Sequence, residues 1–118
     1  MISTRTHGII DYVVGILLIL APFILGFATG GAAMWVPILV GASILVYSLL
    51  TRYEMAAARV IPFKTHLVLD AAGGLLLLVS PWLFGFADLI WWPHVVVGLA
   101  ELGVVAMTNK VEPVAGRA

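Results

Sequence analysis

THGIIDYVVGILLILAPFILGFA, residues 6–28, and THLVLDAAGGLLLLVSPWLFGFA, residues 65–87, align without a gap and share ten of twenty-three positions. The identities are Thr, His, Asp, Gly, two Leu, Pro, Gly, Phe and Ala. Self-similarity of this kind marks a chain built from copies of one supersecondary unit. The parts that follow also match once two residues of the first connection are skipped: Trp35 falls on Trp92, Gly41 on Gly98 and Thr51 on Thr108. Each copy holds two apolar runs and reads as a helical hairpin, repeat 1 over 6–54 and repeat 2 over 65–112, within one domain of 1–118.

The solvent for these hairpins follows from composition. Hydrophobic residues make up 63% of the 118 and charged residues 10%, against about 25% charged in a soluble domain. So small a chain cannot hide that much apolar area in its own core, which leaves lipid as the medium. Apolar runs cover residues 7–27, 34–50, 66–86 and 92–107, each near the ~20 residues that cross a bilayer, the second and fourth at the short end. The expected fold is an all-α membrane protein of four transmembrane helices. Both hairpins enter from one side, so their pseudo-twofold axis lies along the membrane normal. The first run is not read as a signal peptide, because Pro22 follows Ala21 and the same segment recurs in the interior. Zero formal net charge offers no nucleic-acid face, and the absence of cysteine removes disulfides and thiolate chemistry.

All six cations, Arg5, Arg52, Arg59, Lys64, Lys110 and Arg117, fall on one side of these spans. The positive-inside rule makes that side cytoplasmic, with both termini inside, and Trp35, Trp91 and Trp92 fit as anchors at the outer interface. Gly26 and Gly85 read as helix ends, Pro37 and Pro93 as first-turn residues, and Thr6 and Thr65 as N-caps. Asp88 reads as a residue capping or preceding the last helix, and residues 86–92 as a tight turn. Good helix formers at 54–59 predict that the second helix runs on into the cytoplasm until Pro62 stops it.

Ser80-Pro81-Trp82, followed by Gly85-Phe86-Ala87 and preceded by an apolar helix with an Asp near its start, resembles the SPW-repeat family of small bacterial membrane proteins. The resemblance covers most of the chain twice over. It implies a two-helix unit with the motif on its first helix and a multi-pass location in the bacterial plasma (inner) membrane; it implies no activity. The motif positions are Pro22, Phe23 and Gly26 in the first copy and Ser80, Pro81, Trp82 and Gly85 in the second. Because the first copy reads Ala21-Pro22-Phe23, any chemistry of Ser or Trp is confined to the second.

The repeat also places His7 with Asp11, and His66 with Asp70, four residues apart on one helical face. Continuing along it gives Gly15, Leu18 and Pro22, and Gly74, Leu77 and Pro81, a stripe that permits close helix approach. The pseudo-twofold brings the two pairs together, some 6 to 8 Å above the helix starts. Glu101, where the first copy has Ile44, lies roughly 10 Å above the inner end of the fourth helix. His94 reads as a solvated or interfacial residue. Pro22 and Pro81 free the carbonyls of Leu18 and Leu77 and bend their helices, seating Phe23 or Trp82 against a neighbour.

The preferred reading of His7, Asp11, His66, Asp70 and Glu101 is structural: each Asp orients a His, and both tie helices together. Behind it stand a proton or ion pathway, a divalent metal held by His7, Asp11, His66 and Asp70, and bis-histidine haem ligation by His7 and His66. Hydrolytic and phosphate-binding motifs are missing from the sequence. The reading is therefore a non-enzymatic membrane module without a cofactor, whose partners are the lipid bilayer and either a second copy or another membrane protein.

Overall fold

The computed structural model describes residues 1–51, 53–54 and 56–108. Within them the chain forms four helices, α1 (Thr4–Ile24), α2 (Ala32–Leu49), α3 (Phe63–Leu83) and α4 (Trp92–Met107). The first three are long and apolar enough to cross a membrane, and α4 is a shorter apolar helix. At 1.5 Å per residue, its 16 residues span about 24 Å. No named strand occurs among the described residues, only isolated bridges of Ile2 with Thr108 and Thr51 with Ile61.

The chain pairs as two hairpins, α1 along α2 and α3 along α4, which meet chiefly through α2 and α3. Inside each hairpin the backbones touch at a glycine pair. A Cβ added to Gly41 would stand 2.6 Å from the Gly15 carbonyl oxygen, and one added to Gly98 would stand 2.6 Å from that of Gly74. Lipid tails are as apolar as leucine, so close van der Waals contact of this sort, rather than escape from water, drives helix pairing. The predicted stripe is the buried face: His7, Asp11, Gly15, Leu18 and Pro22 in α1, and His66, Asp70, Gly74, Leu77 and Pro81 in α3. Leu18, Val40, Ile44 and Leu77 fill the centre.

The outer ends of α1 and α3 show what the repeated motif does. Gly26 and Gly85 adopt φ of 81° and 73°, the left-handed conformation that glycine enters without steric cost. The amide two residues beyond the C-cap then returns to the helix: Phe27 N–H donates to Pro22 O at 2.9 Å and Phe86 N–H to Pro81 O at 2.8 Å. This is the six-to-one bond of a Schellman cap. Pro81 has no N–H for the Leu77 carbonyl, and the Ser80 hydroxyl, buried beside it, donates to Leu77 O at 2.9 Å instead. Ala21 has no such group. Phe23 and Trp82, 60% and 61% exposed, face away from the bundle, so neither is seated against a neighbouring helix as the bend suggested.

Several boundaries differ from the sequence reading. Ser3, not Thr6, caps α1, its side chain accepting from Thr6 N–H, and Pro62 precedes α3 in place of a Thr65 cap. Pro37 lies inside α2 because that helix begins at Ala32; Trp91 holds the N-cap position of α4, and Asp88 precedes that helix, the second of its two expected places. The second helix does not continue inward: α2 stops at Leu49, and the carbonyls of Leu49 and Leu50 accept from Ala57, Ala58, Val60 and Ile61. Burial of Tyr53 and Phe63 at 0% exposure outweighs the helix propensity of the alanines. Arg5, Arg59 and Lys64 sit at this end of the bundle, while Trp35, Trp91 and Trp92 are about half exposed at the other. Arg52, Lys110, Arg117 and the last residues of repeat 2 lie outside the described residues.

Ser80→Ala strands the Leu77 carbonyl and is expected to lower stability by about 1 kcal/mol, whereas Ala21→Ser, which supplies the same bond to Leu18, is expected to raise it by a similar amount. Unfolding titrations of the two variants in lipid bicelles check both signs.

Candidate functional site

Starting at Thr4 rather than His7 puts Asp11, seven residues in, about 10 Å along α1, and starting at Phe63 does the same for Asp70 in α3. At that depth all four predicted side chains, His7, Asp11, His66 and Asp70, are 0% exposed. They close into a ring. His7 Nε2 lies 2.6 Å from Asp70 Oδ2, and His66 Nε2 lies 2.5 Å from Asp11 Oδ2. The same-helix contacts, His7 to Asp11 and His66 to Asp70, are longer, 3.1 Å each. Each imidazole therefore bonds best to the other repeat's carboxylate. The ring joins α1 to α3, which are not among the extensively packed helix pairs.

Bond counting fixes how the imidazoles are held. The hydroxyls of Thr51 and Thr108 donate to the carbonyls of Tyr47 and Val104 at 2.6 and 2.5 Å. A hydroxyl has one proton, so each threonine oxygen meets its histidine as an acceptor. His66 Nδ1–H donates to Thr51 at 2.7 Å, and His7 Nδ1–H donates to Thr108 at 2.8 Å. Both Nε2 atoms are thereby turned to the middle, and two protons are shared across the short contacts. These paired distances agree between copies to 0.1 Å, the internal twofold at its clearest.

The next layer is unequal. Tyr47 donates its hydroxyl to Asp70 Oδ1, but its counterpart in the second copy is Val104, which has no donor. Asp11 Oδ1 correspondingly has no partner. Glu101, 1% exposed, occupies the place that Ile44 holds in the first copy, and neither of its oxygens is hydrogen-bonded. It packs against Gly74, where an added Cβ would come within 3.0 Å of the Glu101 Cβ. Glu101 lies within electrostatic reach of both aspartates and both histidines, yet only the other four side chains converge closely enough to share one ion. The structure thus brings together four of the five predicted residues and leaves Glu101 beside them.

Aromatic rings close the side of the ring nearer the α2–α3 connection. Phe63 stacks on His66 at 5.8 Å and meets His7 edge-on at 5.7 Å, and Tyr53 lies 5.2 Å from His66. Burial pushes the Tyr53 phenol above its ordinary pKa of 10.0. At the opposite end His94 is 1% exposed rather than solvated: it donates from Nε2 to Ala33 O at 2.8 Å and lies between Phe27 and Phe86. The centroids of His7 and His66 stand 5.4 Å apart, and the space between their Nε2 atoms belongs to carboxylates, so the pair does not frame a porphyrin. Sequence reasoning missed Thr51, Thr108 and Tyr47. The alignment of Thr51 on Thr108 was the available signal for the first two; nothing in the repeat marks Tyr47.

Truncating one member of a buried ionic pair costs about 3 to 5 kcal/mol, against roughly 0.6 kcal/mol for an average hydrogen bond between membrane helices. His7→Ala is accordingly expected to cost about 3 kcal/mol and Tyr47→Phe about 1 kcal/mol. Double-mutant cycles are expected to show stronger coupling for His7 with Asp70 than for His7 with Asp11; equal coupling would contradict the cross-repeat ring.

A family model described as the SPW repeat domain matches residues 5–108. No curated protein and no solved structure matches the chain.

Proposed function

The chain belongs to the SPW repeat family, and we propose that it serves as a non-enzymatic membrane module: a rigid bundle, locked from within, that acts through its lipid-facing surface. The observation that supports this reading is the complete burial of the ring. Its reactive groups are saturated by one another, backed by threonines and covered by Tyr53 and Phe63, so no substrate meets them. The surface, in contrast, carries a groove of about 320 Å³ between α2 and α3, floored by small residues at Ser43, Ala72 and Gly73 and walled by Leu39 and Leu76. Small residues at a lipid-exposed helix surface let another helix approach closely, and a second copy of the chain is the proposed occupant.

A proton or ion pathway is the competing reading, favoured by the unpartnered oxygens of Glu101 and Asp11. Against it, the buried apolar cluster of Leu18, Val40, Ile44 and Leu77 fills the centre of the bundle. A conducting route needs polar groups or water along its length. The proposed location is the bacterial plasma membrane with both termini cytoplasmic, supported by Arg5, Arg59 and Lys64 at one end and tryptophans at the other.

Single-molecule counting of labelled protein in native-like lipid is expected to find dimers or larger assemblies, and the same proteoliposomes are expected to pass protons no faster than empty ones. A strictly monomeric chain that carries protons would reverse the two readings. Because the protein has no cysteine, orientation is read directly: Ser3→Cys should react with an impermeant maleimide only in opened cells, and Gly30→Cys in intact ones.

A further inference from the structure

The ring gathers at one point four atoms that can each ligate a metal, one from each side chain. His7 Nε2, His66 Nε2 and one oxygen from each of Asp11 and Asp70 all lie within 4.8 Å of one another. Three of the four side chains are held from behind: both imidazoles by threonine oxygens on Nδ1, and Asp70 by the Tyr47 hydroxyl on its second oxygen. The fourth, Asp11, is fully buried with its second oxygen unpartnered. Outer hydrogen bonds that fix the tautomer and aim the lone pair of each imidazole are the arrangement that metal-ligating histidines require.

We propose that this ring is a structural site for one divalent first-row transition ion, bound by His7, His66, Asp11 and Asp70 across the two repeats. Two imidazoles select against magnesium and calcium, which prefer all-oxygen shells. The ion takes the place of the two protons shared across the short contacts, which are released on binding, and two carboxylates balance a dication, so the filled site carries no net charge in a medium that penalises it. Four protein donors with no opening describe a structural centre, since a catalytic one keeps a position for water or substrate. Donors about 2.0 to 2.2 Å from zinc stand roughly 3.3 Å apart in a tetrahedron. The edges of the ring now measure 2.5 to 3.1 Å, so coordination opens them by less than about 1 Å, a side-chain adjustment. The inference deepens the lock described above, in which the ring joins the hairpins, and supplies the agent that closes it.

The test uses full-length protein in nanodiscs, stripped with chelator and titrated with Zn²⁺ and, separately, Co²⁺. The expected result is one tightly held ion per chain, a visible Co²⁺ ligand-field band of a four-coordinate nitrogen and oxygen site, and a higher Tm with Zn²⁺. His66→Ala should abolish all three, and Thr108→Val, which keeps every ligand and removes only the backing oxygen, should weaken Zn²⁺ binding about 10- to 100-fold. If His66→Ala does not fold, the wild-type cobalt spectrum and Thr108→Val still decide. Absence of Zn²⁺ and Co²⁺ binding by the wild type, or binding that Thr108→Val leaves unchanged, would overturn the proposal. Loss of metal binding with the His7 and Asp70 coupling intact would leave the lock as a hydrogen-bonded ring, whereas loss of that coupling as well would remove the lock itself.

Discussion

Two hairpins in lipid have little reason to stay together. Water does not press their apolar faces into contact, and a leucine gains nothing by exchanging a lipid neighbour for another leucine. What distinguishes association from separation here is the ring of His7, Asp70, His66 and Asp11. Apart, each hairpin would carry a buried His and Asp whose best partners are on the other, and the low dielectric makes an unmet polar group expensive. The rest of the structure is arranged around that demand. Glycine contacts bring α1 to α2 and α3 to α4, Thr51 and Thr108 set the imidazole orientation, and Tyr53 and Phe63 keep the assembly dry.

The family motif belongs to a different task. Pro81 marks the last turn of α3, Gly85 supplies the left-handed residue that ends it, and Phe86 returns its amide to the Pro81 carbonyl. Ser80 repairs the one hydrogen bond that proline removes. Trp82 stays outside, where an amphipathic ring suits the membrane interface. A sequence signature visible at a helix end thus describes how the helix stops, and the residues that lock the two repeats lie at the opposite end of the same helix.

How much of this was legible in the chain depended on how far each signal reached. The number of helices, their pairing and the buried stripe from His7 to Pro22 followed from periodicity and duplication, because lipid allows few alternatives to an apolar helix. The convergence of two His–Asp pairs also followed, since the twofold leaves them little else to face. The exchange of partners between repeats did not, because i,i+4 spacing offers each His an Asp on its own helix at 3.1 Å and says nothing of a better one across the axis. His94 was misjudged for a similar reason: its cover comes from Phe27 and Phe86, distant in sequence. The inner connection failed on propensity, a local quantity that the burial of Tyr53 overrode.

The two copies are equal where the ring is built and unequal one layer out. Every contact of the ring and its threonines occurs twice with nearly the same length, which means that neither hairpin holds a complete site. Two separate hairpins related by a true twofold would form the same ring, so joining them in one chain adds no new chemistry to it. What fusion permits is divergence. A symmetric pair must carry Tyr47 twice or not at all, whereas this chain has Tyr47 in one copy and Val104 in the other, and Ile44 in one and Glu101 in the other. The consequence is that Asp70 is held by a phenol while Asp11 keeps a free oxygen, and a lone carboxylate stands on one flank only. A centre identical from both sides has acquired a direction, and any role that needs one side of the ring to differ from the other begins at those two positions.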